Sequence, residues 1–155
     1  MKKKLNQLAI VVLFWNDSDK TIKCLNSLFQ QKKQNFSIIL VDNNSDQKYS
    51  KKIFNWLKKK NIKHTKVKNE LISKYQNNKD KLFYIKNKLN YGCGLGHNPG
   101  YKFCIKNDFN YIARIDNDMI VPKNLIYHLV ERLEKNKFIA AISPKVMFAN
   151  NPKVI

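Results

Sequence analysis

Residues 8–14, Leu-Ala-Ile-Val-Val-Leu-Phe, form an unbroken apolar run of the kind that makes a strand covered on both faces. The run stops at Trp15-Asn16-Asp17-Ser18-Asp19, a polar turn rich in helix N-cap residues. Ile22, Leu25, Leu28 and Phe29 then recur at helical spacing, which predicts a helix over about residues 19–31. A second apolar run at 36–41 ends in Asp42-Asn43-Asn44-Ser45-Asp46. Strand, helix and strand make a βαβ unit, whose parallel strands present both polar clusters on one sheet edge. Ile53, Trp56 and Leu57 predict a second helix over the Lys-rich residues 48–60. The polar, weakly periodic segment 61–81 reads as an extended, partly helical surface excursion, and 82–85 as a short third strand. Tyr101, Cys104 and Ile105 give a helical stripe to about Asn107, followed by an apolar strand at 111–115. Pro122 suits the first turn of a last helix, with Leu125, Leu129, Val130 and Leu133 on its buried face, and 140–148 reads as a further strand. The expected fold class is α/β, a three-layer α/β/α sandwich around a mostly parallel sheet.

A chain of 155 residues suffices for one domain with a real core. No apolar run approaches the roughly 20 residues of a membrane span. The start, Met1-Lys2-Lys3-Lys4 and then the apolar run, mimics a signal peptide, but no small-residue cleavage site follows, so a first buried strand is the better reading. Cys24, Cys93 and Cys104 form no CxxC pair and are odd in number, which points to a reduced, cytoplasmic chain. The formal net charge is +19. Lysine is spread along the chain without interleaved aromatics, so no dedicated nucleic-acid groove is indicated and no nucleic acid is expected as partner. Much of this charge is simple surface filling; a peripheral contact with an anionic membrane, at its inner face, is compatible with it.

The candidate chemistry lies at strand ends. The 111–115 strand runs into Asp116-Asn117-Asp118, delivering two carboxylates to the crevice where open α/β sheets bind ligands. Carboxylates so close repel unless a cation lies between them, and a hard divalent ion, Mn²⁺ or Mg²⁺, shared with substrate phosphates fits. Asp-x-Asp also occurs in ordinary turns and helix caps. All four glycines fall within 92–100, where a special backbone, such as a Gly-rich turn before a helix or a glycine-lined tight loop, must be built. A dinucleotide GxGxxG pattern starting at Gly92 fails at His97 and follows the third strand rather than the first.

In order, Ile10-Val11-Val12-Leu13-Phe14-Trp15-Asn16, Cys24-Leu25-Asn26-Ser27-Leu28, Ile39-Leu40-Val41-Asp42-Asn43-Asn44-Ser45, the segment from Asn90-Tyr91-Gly92 to Asn98-Pro99-Gly100, and the stretch from Ile112 to Asp118 resemble the successive motifs of family 2 glycosyltransferases with the GT-A, Rossmann-like fold. The resemblance covers about residues 8–148, with 61–81 off pattern, and within the family is nearest to rhamnosyltransferase-type enzymes of bacterial surface polysaccharides. It implies an inverting, metal-dependent hexosyltransferase that takes a dTDP-, UDP- or GDP-sugar and a saccharide or lipid-linked acceptor. It implies that Trp15 and Asn16 line the nucleotide pocket, that Asp42 bonds the base or ribose, and that Asn90, Gly92 and Asn98 shape the loop facing the donor. By the same resemblance Asp116 contacts ribose or sugar hydroxyls and Asp118 holds the metal. Strand alternation leaves open whether Arg114 points to the core or the pocket.

The family has Asn where His97 stands and a small residue at Pro99. Its acceptor-side general base lies beyond residue 155, so the resemblance implies a single donor-binding domain, residues 1–155, without the acceptor half and weak in catalysis alone. Glu131 and Glu134 read as solvent-facing charges. Two rivals remain at this point. A nucleotidyltransferase would want a Gly-rich basic loop directly after the first strand, where Trp15-Asn16-Asp17-Ser18 stands. A basic, non-enzymatic module binding nucleic acid or membrane would leave the acidic strand ends unexplained.

Overall fold

A computed structural model describes residues 8–32, 35–68 and 81–148. Five strands, β1 (Leu8–Phe14), β2 (Phe36–Asp42), β3 (His64–Val67), β4 (Leu82–Lys86) and β5 (Tyr111–Arg114), form one sheet in the order β3-β4-β2-β1-β5. Every pairing is parallel, with Val12 opposite Leu40 and Val11 opposite Arg114. The two central strands are covered on both sides, which is why their sequences are continuously apolar rather than alternating.

Alternation reappears in what each residue touches. Leu8, Ile10, Val12 and Phe14 of β1, with Ile38, Leu40, Leu82 and Tyr84, pack beneath α1 (Ser18–Phe29), α2 (Gln47–Lys59) and α5 (Leu125–Lys135). Their neighbours Ala9, Val11, Ile39, Val41, Phe83 and Ile85 pack on the opposite face, against Phe103 and Cys104 of α4 (Asn98–Lys106). The expected three-layer α/β/α sandwich is therefore the observed one. Gly100 sets the depth of the second layer. A Cβ there would stand 2.7 Å from Val11 Cγ1 and 3.0 Å from Val41 Cγ2, so only glycine lets α4 lie this close to the sheet.

Four expectations change. The excursion at 61–81 contains β3, an edge strand, in its described part, while residues 69–80 lie outside the described residues. Its pairing with β4 supplies the order that its weak periodicity does not. The glycine-rich segment is itself a short helix, α3 (Gly92–Gly96), running almost directly into α4. No strand spans 140–148: Pro144 interrupts the run, and Val146, Met147 and Phe148 are exposed instead of packed. The last helix begins at Leu125 rather than at Pro122, and buries Ile126 and Val130, with Leu125, Leu129 and Leu133 half-buried.

Candidate functional site

Because all five strands are parallel, their C-terminal ends share one edge. The chain moves from β1 across β2 to β3 and β4, then returns to place β5 on the other side of β1. That reversal opens a crevice between the ends of β1 and β5, the switch point at which α/β sheets receive ligands. Trp15 and Asn16 follow β1, and Asp116 and Asp118 follow β5, so the fold brings both predicted clusters to this crevice.

The loops after β1 and β2 are tied together. Asn16, at φ +50°, donates its backbone N–H to the Ser45 hydroxyl at 3.0 Å, and its side-chain oxygen accepts from the Asp46 amide at 2.8 Å. Trp15 beside it is 54% exposed. Asp42 is wholly buried. Its Oδ1 accepts from the Ser45 amide at 2.7 Å, and its Oδ2 accepts from the Tyr84 hydroxyl. Burial, then this bond to Asp42, raises the Tyr84 phenol far above its ordinary value. Asp42 therefore supports the loop from below and has no surface with which to meet a ligand.

Sequence reasoning passed over Asn43, the hub of the glycine segment. Its amide nitrogen donates to Asn90 Oδ1 at 2.6 Å and to the Gly92 carbonyl at 3.1 Å. Its amide oxygen accepts from Asn87 Nδ2 at 2.9 Å and from the Tyr91 N–H at 3.1 Å. All four hydrogen-bonding positions of the side chain are in use. Gly96 seats directly on it, since a Cβ there would lie 3.0 Å from Asn43 Oδ1. Asn90 also accepts from the Gly92 N–H at 2.9 Å, helping to hold Gly92 at φ +68°, where a side chain would be strained. Asn98, in the first turn of α4, is exposed. His97 is buried, donating from Nδ1 to the Cys93 carbonyl at 2.6 Å and stacking on Tyr101.

The acidic turn is strapped to α1. Asn117 Nδ2 donates to the Thr21 hydroxyl at 3.0 Å, and the Cys24 thiol donates to the Asp116 carbonyl at 3.6 Å. The Ser27 hydroxyl accepts from the Val121 N–H at 3.0 Å, while Gln31 Nε2 donates to the Pro122 carbonyl at 2.8 Å. Burial first, then the Asp118 and Asp116 carboxylates, pushes the Cys24 thiol up to about 12, so it serves as a neutral donor. The polar stripe of Thr21, Cys24 and Ser27 on α1, with Gln31 just past its end, was the available signal for these supports, and only Cys24 and Ser27 figured in a motif.

Asp116 is held from the side by Arg114, whose Nε and Nη2 donate to its Oδ1 at 3.1 and 3.0 Å. That contact raises the Arg114 guanidinium above its already high value. Asp118 is exposed, and among the described residues no donor holds its carboxylate. Among the described residues no three His, Cys, Asp or Glu side chains converge on one point. A divalent ion that takes one or two carboxylates and completes its shell with phosphate oxygens and water needs no third protein ligand, so the two aspartates fit such an ion.

An α/β sandwich whose switch point carries an acidic turn, an exposed tryptophan and a glycine segment locked by asparagines is a domain of the GT-A kind. The family model described as "Glycosyl transferase family 2" matches residues 9–71 and 68–153, and the chain belongs to that family. No curated protein matches it. Among solved structures it is similar to S. aureus TarS, with TM-score 0.60 and 15% identity over 92% of this chain and 24% of that one. Residues 1–349 of TarS in complex with UDP give TM-score 0.60 and 16% identity, over 92% of this chain and 39% of that chain. The mannosyltransferase PcManGT from Pyrobaculum calidifontis, in complex with GDP-Man and Mn²⁺, gives TM-score 0.61 and 12% identity, over 81% and 32%. The chain thus spans well under half the length of each of these proteins. Family membership sets the nucleotidyltransferase reading aside.

Proposed function

We propose that the crevice binds a nucleoside-diphosphate sugar with Mn²⁺ or Mg²⁺, as the donor site of a glycosyltransferase that passes the sugar to a saccharide or lipid-linked acceptor. The observation that carries this reading is the acidic turn at the switch point, braced from α1 and β5 yet with the Asp118 carboxylate unheld and exposed. The neighbours support it: a TarS structure holds UDP and PcManGT holds GDP-Man and Mn²⁺.

In this reading Trp15 stacks on the base, and Asn16 keeps the loop after β1 fixed against the loop after β2. Asp42 acts from beneath, through the Ser45 amide, rather than on the nucleotide itself. Asn90 and Gly92, locked through Asn43, and Asn98 shape the wall facing the donor. Asp116 accepts from ribose or sugar hydroxyls, and Asp118 binds the metal. The divalent ion, when bound, supplies Lewis-acid neutralisation of the departing diphosphate. Inversion at the sugar carbon needs a general base on the face opposite the leaving group. Glu131 is occupied by Lys135 and Tyr127, and Glu134 is exposed on α5, so neither takes that part. We assign the base to neither of these two glutamates. A role in bacterial surface polysaccharide synthesis, with a rhamnosyl or other hexosyl donor, at the inner face of the membrane, extends the same reading.

Calorimetric titration of UDP, GDP and dTDP, with Mn²⁺ and again with EDTA, tests it. One diphosphate should bind only with metal, and Asp118→Ala should abolish that binding. Failure of all three diphosphates to bind a cooperatively folded protein would refute the assignment.

A further inference from the structure

We infer that Arg114 is the positioning residue of the donor site, fixing Asp116 so that one carboxylate oxygen stays turned to the ligand. The inference rests on the donor-site reading above. Arg114 stands opposite Val11 in the β1–β5 register, and Val11 faces α4, so the strand sends the arginine to the glycine-segment side of the sheet. There the guanidinium bridges two elements. Nε and Nη2 both close on Asp116 Oδ1, and Nη2 also lies 3.2 Å from Cys93 Sγ in α3. Two charged donors on a single oxygen hold that oxygen in place and leave the other one outward. Among the described residues nothing holds Oδ2, which remains an acceptor for a ligand hydroxyl.

The pair is a surface ion pair, with both side chains 46% exposed. Pairs in that setting add little to folding stability. Removing the guanidinium should therefore appear in ligand affinity and not in melting temperature. Lysine cannot substitute, because one ammonium on a flexible stem does not reproduce the fork.

The test is a double-mutant cycle read by calorimetry with UDP, GDP and dTDP in Mn²⁺, on Arg114→Ala, Asp116→Ala and the double variant, with melting curves for each. The expected result is binding of the preferred diphosphate weakened about tenfold in Arg114→Ala, on the scale of one charge-assisted hydrogen bond. The melting temperature should not move. The double variant should bind no more weakly than Asp116→Ala, and Arg114→Lys should stay below wild type. Wild-type affinity in Arg114→Ala or Arg114→Lys would overturn the inference while leaving the donor site standing. So would losses that multiply in the double variant, since Arg114 would then act independently of Asp116. A wild-type protein that binds none of the three diphosphates would overturn both readings together.

Discussion

Cys104 shows how much a buried side chain can reveal at the scale of one residue. It lies on the buried face of α4 against the sheet, and burial pushes its thiol from 9.0 up to about 12. A group whose folded value lies above its unfolded one keeps its proton in the native chain while the unfolded chain loses it. The stability it contributes is whole below pH 9 and drains away as pH rises from about 9 to 12. The slope is at most ~1.4 kcal/mol per pH unit for one thiol. Urea denaturation at a series of pH values should show falling stability above pH 9, with a shallower fall in Cys104→Ala. An identical slope in the variant would place the titration elsewhere. Asp42 makes the opposite point. Its place at the end of β2 was legible, but its burial beneath Tyr84 depends on a residue distant in sequence.

At the scale of elements, α1 is more than a cover for the sheet. One side buries Leu25 and Leu28, while Thr21, Cys24 and Ser27, with Gln31 just beyond the helix, grip the segment 116–122 that follows β5. Ser27→Ala would leave the buried Val121 N–H without an acceptor. The expected cost is about 1–3 kcal/mol of stability by chemical denaturation. Diphosphate binding should weaken as well, although Ser27 lies outside the crevice. Unchanged binding in a destabilised Ser27→Ala protein would show that the acidic turn holds its shape without α1. The glycine segment is governed in the same way. Its four glycines announced an unusual backbone, yet that it would coil into α3 and α4 and settle on Asn43 was decided by contacts with β2.

For the molecule as a whole, the asymmetry of charge is the dominant property. Thirty basic residues face eleven acidic ones. Between Gln47 and Lys68 lie nine lysines and no acid, on α2, on β3 and in the turns beside them. Adsorption to vesicles containing anionic lipid should therefore be measurable by co-sedimentation at low salt. It should fall away near 0.5 M salt, where the Debye length shrinks to about 4–5 Å, and it should be absent from neutral vesicles. Binding that persists at high salt would require an apolar contact instead. Among the described residues no helix is long and apolar enough to cross a membrane.

The apolar runs, the helical stripes and the polar residues that end the strands were sufficient to specify the α/β sandwich, its parallel central strands and the edge on which the site lies. These are local patterns, set by period and by the chemistry of strand ends. The tertiary structure alone decided the rest. It made β3 a strand by offering it the edge of β4, and denied one to 140–148, where Val146, Met147 and Phe148 stay exposed. It also turned Arg114 toward Asp116 and took Asp42 out of reach of a ligand. The pairing of β3 with β4 and the burial of Asp42 under Tyr84 join residues far apart along the chain, while Arg114 and Asp116, two positions apart, meet only because the turn after β5 brings them face to face.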